Sequence, residues 1–205
     1  MESVASILET RHAAWPDELA CAVTARRIAG HPALRNAFIE LHGPLGAGKT
    51  TFARHLLHGL GVEGAIKSPT YALMEPYCAD PSHGNFDIAH CDFYRFDDPE
   101  EWEDAGFREV FANPGLKLVE WPEKAAALLP ECDLRVWISP RDGGDARDAR
   151  FEALSAAGRE LLPGPPGAQR WREWDRSCSR SARATSPGAH RSSPCASGRQ
   201  PTTRA

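Results

Sequence analysis

Eight consecutive residues, 43–50, read Gly-Pro-Leu-Gly-Ala-Gly-Lys-Thr and fit the phosphate-binding pattern Gly-x-x-x-x-Gly-Lys-Ser/Thr. Glycines let the backbone pass close to an oligophosphate, so that successive N–H groups point at it from the start of a helix. Lys49 supplies the cation for the β- and γ-phosphates, and Thr50 supplies a hydroxyl for magnesium. The pattern therefore predicts a nucleotide-binding loop.

The flanking residues provide the context that this loop requires. A short apolar run, residues 38–41, precedes it and is typical of a strand, and the residues after it carry apolar side chains at helical spacing. We expect Thr51 to bond an α-phosphate oxygen. The predicted nucleotide contacts are Gly43, Leu45, Gly46, Ala47, Gly48, Lys49, Thr50 and Thr51.

Two acidic residues could complete a magnesium site, because a nucleoside triphosphatase needs a carboxylate at the end of a strand beside the loop. Glu120 ends the apolar run Leu-Lys-Leu-Val-Glu, and Asp92 follows the less apolar run Ile-Ala-His-Cys. For either residue alone, a solvated loop carboxylate is the alternative. The pair favours a function for at least one of them, and we treat both as candidate metal ligands.

Thr70 lies in the segment Ser68-Pro69-Thr70, between the loop helix and the next strand. Nucleotide-switch proteins keep a threonine that senses the γ-phosphate and magnesium in this region, so Thr70 is a candidate catalytic residue. A plain Ser-Pro turn is the alternative. Trp121, directly after Glu120, is expected to pack in the core rather than to contact a partner.

Composition limits the class of protein. No apolar run approaches the roughly 18 residues that cross a bilayer, and the N-terminus does not resemble a secretory signal, so we expect a cytoplasmic protein without membrane contact. The six cysteines show no zinc-like spacing. From residue 168 onward, eight arginines stand against two acidic residues; the remainder of the chain is acidic and a poor independent binder of nucleic acid.

The order of elements predicts an α/β fold: a single P-loop NTPase-type domain, residues 1–162, with a mixed central sheet and flanking helices. Asp17 is expected to cap a first helix that ends near Ala29, with Leu19, Ala22 and Val23 on one side. The later predicted strands cover residues 71–77, 86–94, 116–120, 134–138 and 149–154. The later predicted helices cover residues 98–105 and 122–129.

The last segment, residues 163–205, is rich in Arg, Ser and Pro and has almost no aliphatic side chains. Such a segment cannot bury enough apolar area to offset the entropy of ordering, so we predict a disordered tail. Trp171 and Trp174 are the exceptions. Their spacing would allow one small apolar contact, although a stray pair in an unstructured tail is the simpler interpretation.

Nucleotide choice follows from a missing motif. Guanine specificity would need an Asn-Lys-x-Asp loop, and the four lysines follow Gly48, Ile66, Leu116 and Glu123, so ATP is the expected nucleotide.

Four motifs in fixed order give the chain a resemblance to the bacterial TsaE family (older name YjeE). They are the loop with its following Thr-Phe, Lys-Ser-Pro-Thr-Tyr (67–71) with Glu75-Pro76-Tyr77, Asp92-Phe93-Tyr94-Arg95 with Asp98-Pro99-Glu100-Glu101, and Leu118-Val119-Glu120-Trp121-Pro122-Glu123. The resemblance covers about residues 17–162. The chain departs from the family at Pro44, where Asp is frequent, and after Leu162, where a closing helix would continue.

The resemblance implies a small ATPase that binds and hydrolyses ATP with magnesium, for the threonylcarbamoyladenosine modification of tRNA next to the anticodon. It implies work in complex with TsaD-like and TsaB-like proteins, contact with tRNA only through that complex, and slow hydrolysis by the isolated chain. By position, Lys49 and Thr50 hold phosphate and magnesium, Thr70 belongs to a switch, Asp92 and Glu120 are the functional acids, and Glu18 lies near the adenine.

Two other functions stay open on the residues alone. A small-molecule kinase would need an acceptor pocket and usually an arginine-rich lid, and Arg108 is the only arginine between Arg95 and Arg135. A non-catalytic module that binds partners in an ATP-dependent manner would need the loop but no turnover. Assays with and without acceptors would separate these functions from an ATPase.

Overall fold

A computed structural model describes residues 6–141 and 144–164 of the chain. The described residues up to Pro163 form one compact unit. Within the described ranges, no helix is long and apolar enough to span a membrane. The predicted tail lies outside the described residues from Pro165 onward. The expectation of disorder therefore stays a prediction, as does the role of the two tail tryptophans.

The described chain forms seven strands and five helices. In order they are β1 (Glu9–Trp15), α1 (Glu18–Ala29), β2 (Phe38–His42), α2 (Lys49–Gly59), β3 (Met74–Cys78), β4 (Asp87–Asp92), α3 (Pro99–Asp104), α4 (Phe107–Ala112), β5 (Leu116–Glu120), β6 (Leu134–Pro140), β7 (Arg147–Ala153) and α5 (Ala156–Leu161). Short 3-10 helices cover Pro32–Asn36, Pro81–His83 and Pro122–Lys124.

The seven strands form a single mixed sheet in the order β1-β7-β6-β2-β5-β4-β3. The four strands β6, β2, β5 and β4 are parallel, and the outer pairs β1–β7, β7–β6 and β4–β3 are antiparallel. Helices α1 and α2 pack on one face around Phe52 and Leu56, and α3 and α4 cover Val119 on the other face. The predicted mixed α/β architecture is confirmed.

The parallel centre of the sheet determines where the site forms. Strand β2 leads into the phosphate-binding loop and then into α2. In the sheet register Leu41 of β2 pairs with Glu120 of β5, and Glu120 pairs with Asp92 of β4. Because parallel strands end at the same edge, the loop and both candidate acids meet at the carboxyl edge of the sheet, where α/β folds bind ligands.

The first helix begins as predicted, since the Asp17 side chain accepts a hydrogen bond of 2.9 Å from the Ala20 amide. The predicted apolar face was wrong at two of its three residues, since Leu19 is 68% and Val23 41% exposed, and right at Ala22, which is buried. The buried face instead carries small residues, together with Ile28; they are Cys21, Ala22, Thr24, Ala25 and Ala29.

Close packing of α1 against α2 explains this choice of face. A Cβ added at Gly59 of α2 would lie 2.7 Å from the Ala29 Cβ, so small residues are needed where the helices meet. Larger apolar side chains on that face of α1 would push the helices apart.

Several elements differ from their predicted bounds. Strand β1 and helix α4 were not predicted, and the helix expected at 122–129 is only a 3-10 turn, Pro122–Lys124. The strand expected from residue 71 begins at Met74, because Leu73 has a φ of 60° that no strand residue adopts. The edge strand β1 shows little apolar alternation, since most of its side chains are exposed.

Candidate functional site

The loop is shaped to accept an anion. Gly46 and Gly48 have φ values of 75° and 107°, a region that favours glycine, and a Cβ at either position would meet nothing within 4 Å. Helix α2 starts directly after Gly48, and no side chain of the described residues caps it. The first N–H groups of α2 therefore face open space with the positive end of the helix dipole, as in an oligophosphate cradle.

Gly43 serves the loop in a different way from the other glycines. It has a φ of 139°, and a Cβ there would collide with the Ile138 carbonyl of β6. Its own carbonyl accepts a hydrogen bond of 2.6 Å from the Lys49 ammonium. Gly43 thus positions the loop against the sheet, and it does not line either pocket beside the loop.

Lys49 is held in place by backbone and ring contacts. Its Nζ donates to the carbonyls of Gly43 and Pro44, at 2.6 and 3.1 Å, and lies 3.7 Å from the centroid of the Trp121 ring. The residue is 5% exposed, and burial lowers its pKa, while the nearby carboxylates of Glu120, Glu123 and Asp92 act in the opposite direction. A phosphate would supply a directly bonded anionic partner for this ammonium.

Trp121 belongs to this site and not to the core, which corrects the sequence-based expectation. Trp121 is half-buried with a φ of 57°, and it lines a pocket beside the loop. The ring contacts Tyr94, with centroids 5.0 Å apart, and supports the Lys49 ammonium. The left-handed backbone at Trp121 turns the chain sharply after β5, and no local sequence pattern shows this turn.

Glu120 joins the loop to the sheet. The Thr50 hydroxyl donates a hydrogen bond of 2.8 Å to Glu120 Oε2, and His90 Nε2 lies 3.0 Å from Glu120 Oε1. Glu120 is 2% exposed, so its carboxylate is almost enclosed. Both carboxylate oxygens are thus engaged beside the first turn of α2.

Asp92 accepts hydrogen bonds from the segment that contains Thr70. The hydroxyls of Ser68 and Thr70 both donate to Asp92 Oδ2, the latter at 2.8 Å, and the Tyr94 amide donates to Oδ1 at 2.9 Å. Asp92 is buried at 2% exposure. The predicted switch threonine is therefore tied directly to one of the two predicted acids, and the predicted Ser-Pro segment has a contact that a plain surface turn would not need.

Two pockets of about 290 Å³ each lie on either side of the loop and share Ala47, Gly48 and Thr51. The phosphate-side pocket brings together most of the predicted site. Its lining residues are Leu45, Gly46, Ala47, Gly48, Lys49, Thr50, Thr51, Ser68, Thr70, Asp92, Tyr94, Glu120 and Trp121.

The second pocket lies toward α1. It contains the predicted Glu18, whose carboxylate also contacts the His55 ring at 2.9 Å. Four of its lining residues were not predicted from the sequence. They are Trp15, Cys21, Asp145 and Arg147.

Arg147 shows why sequence alone missed this pocket. Its Nε donates a hydrogen bond of 3.0 Å to the Ala47 carbonyl, across 100 residues of chain. Trp15 ends the unpredicted strand β1, and Asp145 precedes β7. Cys21 is buried, and burial together with the Glu18 charge raises the pKa of its thiol to about 12, so it is a wall residue rather than a nucleophile.

Magnesium fits the donor set. Among the described residues there is no group of three His, Cys, Asp or Glu side chains that could hold a metal. Magnesium in nucleotide sites needs only one or two protein ligands, because phosphate oxygens and water supply the others. The Thr50 hydroxyl, with the carboxylates of Glu120 and Asp92 beside it, offers the hard oxygen ligands that this ion prefers.

Comparison with known proteins found a matching family model and related proteins. A family model described as "Threonylcarbamoyl adenosine biosynthesis protein TsaE" matches residues 15–149. The tRNA threonylcarbamoyladenosine biosynthesis protein TsaE of Haemophilus influenzae is 42% identical over 124 residues, which is 60% of this chain and 75% of that protein. The TsaE protein of Bacillus subtilis is 38% identical over 116 residues, 57% of this chain and 69% of that protein.

A solved structure supports the same fold. The crystal structure of YdiB from Bacillus subtilis superposes with a TM-score of 0.59 at 24% identity, and the match covers 84% of this chain and 99% of that chain. At this level of identity, the likeness concerns the fold.

Proposed function

Because the chain belongs to the TsaE family, which acts in tRNA threonylcarbamoyladenosine biosynthesis, we propose that it is the ATPase of that pathway. One observation carries the proposal: Lys49, Thr50, Glu120 and Asp92 converge in one pocket at the carboxyl edge of the parallel strands. A nucleotide-binding loop alone would support binding; two enclosed carboxylates beside it also support hydrolysis.

In this proposal the loop binds the triphosphate. The N–H groups from Gly46 to Thr51 and the Lys49 ammonium neutralise the phosphate oxygens, and Thr51 bonds the α-phosphate. The pocket around Glu18 and Arg147 takes the nucleoside, and we assign ATP rather than GTP because the chain has no Asn-Lys-x-Asp motif.

Bound magnesium would supply positive charge that neutralises the phosphate oxygens. Thr50 is the proposed direct ligand, and Glu120 and Asp92 hold the ion or its waters. Glu120 is also the proposed group that orients the attacking water, because it stands at the head of the loop helix. Thr70 reports the state of the γ-phosphate through its contact with Asp92.

We further propose that the chain works with TsaD-like and TsaB-like proteins and reaches tRNA only through them. Ser68 and Thr70 are engaged with Asp92, and in the proposed hydrolysis-competent arrangement Thr70 exchanges this hydrogen bond for a contact with the γ-phosphate. If only a fraction of isolated molecules adopts that arrangement, turnover is slow in proportion. A partner that binds the competent arrangement raises the rate.

The test is an ATPase assay of the purified chain, alone and with TsaD-like and TsaB-like proteins, together with partner affinity in ATP and in ADP. We expect slow hydrolysis alone, faster hydrolysis with partners, and tighter partner binding with ATP, because two ligands of one protein influence each other reciprocally. Fast turnover that partners do not change, together with equal partner affinity in ATP and in ADP, would reject the model. Phosphate transfer to an added small molecule would indicate a kinase, and partner binding without any turnover would indicate a binding module.

A further inference from the structure

A histidine that the proposed chemistry does not use lies directly behind the site. His90 is on β4, two residues before Asp92, and is 0% exposed. In the sheet register it pairs with Leu118 of β5, so its side chain lies on the same sheet face as Glu120, two residues further along. Its Nε2 is 3.0 Å from Glu120 Oε1.

The hydrogen-bond pattern defines which ring nitrogen carries the proton. A carboxylate only accepts hydrogen bonds, so the contact with Glu120 requires a proton on Nε2. His90 Nδ1 has no hydrogen-bond partner among residues 6–141 and 144–164. A proton placed on Nδ1 would be a buried donor without an acceptor, which costs free energy. The His90 ring is therefore a hydrogen-bond donor to Glu120 through Nε2.

A filling role alone does not explain this residue. An apolar side chain would fill this space without adding a polar atom of its own, whereas histidine adds Nδ1, which is buried and has no hydrogen-bond partner among the described residues. The histidine does provide one thing that leucine cannot, a donor aimed at Oε1. With Oε1 held by His90 and Oε2 held by Thr50, the Glu120 carboxylate is fixed at both oxygens.

We propose that His90 is a positioning residue that orients Glu120, and through it the Thr50 hydroxyl, for magnesium and the reacting phosphate. This inference rests on the proposed function. Groups behind a metal site commonly act in this way, and their loss typically lowers metal affinity or activity by about 10- to 100-fold. His90 touches neither the nucleotide nor the metal in this proposal.

The test uses three variants of the full chain. His90→Gln places an amide donor the same number of bonds from the backbone as Nε2 and keeps the contact with Glu120. His90→Asn places its amide at the Nδ1 position, out of reach of Glu120, and is the matched polar control. His90→Leu removes the donor and fills the space.

The binding readout is the dissociation constant for ADP measured by calorimetry with magnesium and with chelator. In the wild type, the ratio of these constants measures how strongly magnesium and nucleotide support each other. We expect His90→Leu and His90→Asn to reduce this ratio about tenfold and to leave magnesium-free ADP affinity unchanged, whereas His90→Gln stays within about threefold of the wild type. In turnover assays, kcat should fall in His90→Leu and His90→Asn and stay near the wild-type value in His90→Gln, with little change in KM.

Two results would overturn the inference while the proposed function stands. The first is a His90→Leu variant that keeps the wild-type kcat and the wild-type ratio of the two ADP dissociation constants. The second is an equal loss in the Gln and Asn variants, as a merely structural residue would give. If the variants do not fold, NMR of the wild type decides, because His90 must appear as the Nε2–H tautomer; the Nδ1–H tautomer would reject the contact. A wild-type chain that binds no nucleotide would overturn the proposed function, and the inference with it.

Discussion

Thr50 and Glu120 are 70 residues apart in the chain, yet the Thr50 hydroxyl donates a hydrogen bond of 2.8 Å to Glu120 Oε2. This contact ties the first turn of α2 to the end of β5. It places a hydroxyl and a carboxylate, both suited to magnesium, at the mouth of the loop.

Replacement of Glu120 should therefore affect hydrolysis more than binding. We expect Glu120→Ala and the isosteric Glu120→Gln to lower kcat by roughly 10- to 100-fold, because the acid acts on the metal or water, mainly in the transition state. ATP affinity should change less. Single-turnover hydrolysis and calorimetry on the same preparations measure both quantities. Unchanged turnover would transfer the role to Asp92, which Asp92→Asn tests directly.

Removal of the Lys49 cation should abolish tight nucleotide binding. Lys49→Ala should weaken ATP affinity by about 100-fold, since loss of one partner of an enclosed charge pair costs a few kcal/mol. Folding should survive, because burial already disfavours the charged ammonium, as its lowered pKa indicates. The control is Lys124→Ala, which removes an exposed lysine. Equal ATP affinity in the wild type and Lys49→Ala would disprove the loop assignment.

Arg147 gives a test of the nucleoside pocket. Arg147→Met removes the hydrogen bond to the Ala47 carbonyl and a wall of the pocket, so ATP affinity should fall by about tenfold, which corresponds to one charge-assisted hydrogen bond. Arg150→Met is the matched control, because Arg150 lies on the same strand and contacts Trp137 on the opposite sheet face. Similar affinities in both variants would remove Arg147 from the site.

Acid stability should depend on Glu40. Burial by itself would raise its pKa, but hydrogen bonds with His42 at 3.1 Å and Arg135 at 2.9 Å hold the pKa below its ordinary value of 4.5. A lowered pKa stabilises the fold above the unfolded-state value, and this contribution is lost as pH falls through the folded-state value. Urea unfolding should show Glu40→Gln destabilised at pH 7, with the difference shrinking below about pH 4.5. The exposed Glu109→Gln controls for loss of one charge; a difference independent of pH would contradict the prediction.

Truncation tests the predicted tail. A chain that ends at Leu162 should fold and bind ATP like the full chain, because residues 163–205 lack the apolar side chains for a core. A chain that ends at Ser155 also loses α5 and the buried Leu161, and its melting temperature should fall by about 5 °C. A large loss of thermal stability in the chain that ends at Leu162 would show that the tail completes the domain.

The sequence by itself determined the features that depend on neighbouring residues. The loop at residues 43–50 could be recognised because phosphate binding needs glycine, lysine and threonine at fixed local spacing. The Asp17 cap and the apolar run that ends at Glu120 are also local, since capping and strand burial act within a few residues.

Only the tertiary structure decided the relationships that cross the chain. The local sequence pattern did not show that the Trp121 ring lies against Lys49 and outside the core, since this position depends on a left-handed backbone conformation at Trp121. The pairing of Asp92 with Glu120 depends on strand order, and the Arg147 contact spans 100 residues. The buried face of α1 depended on how closely α2 packs against it. Such contacts depend on which elements become neighbours, and the free energy of packing the whole chain determines that choice.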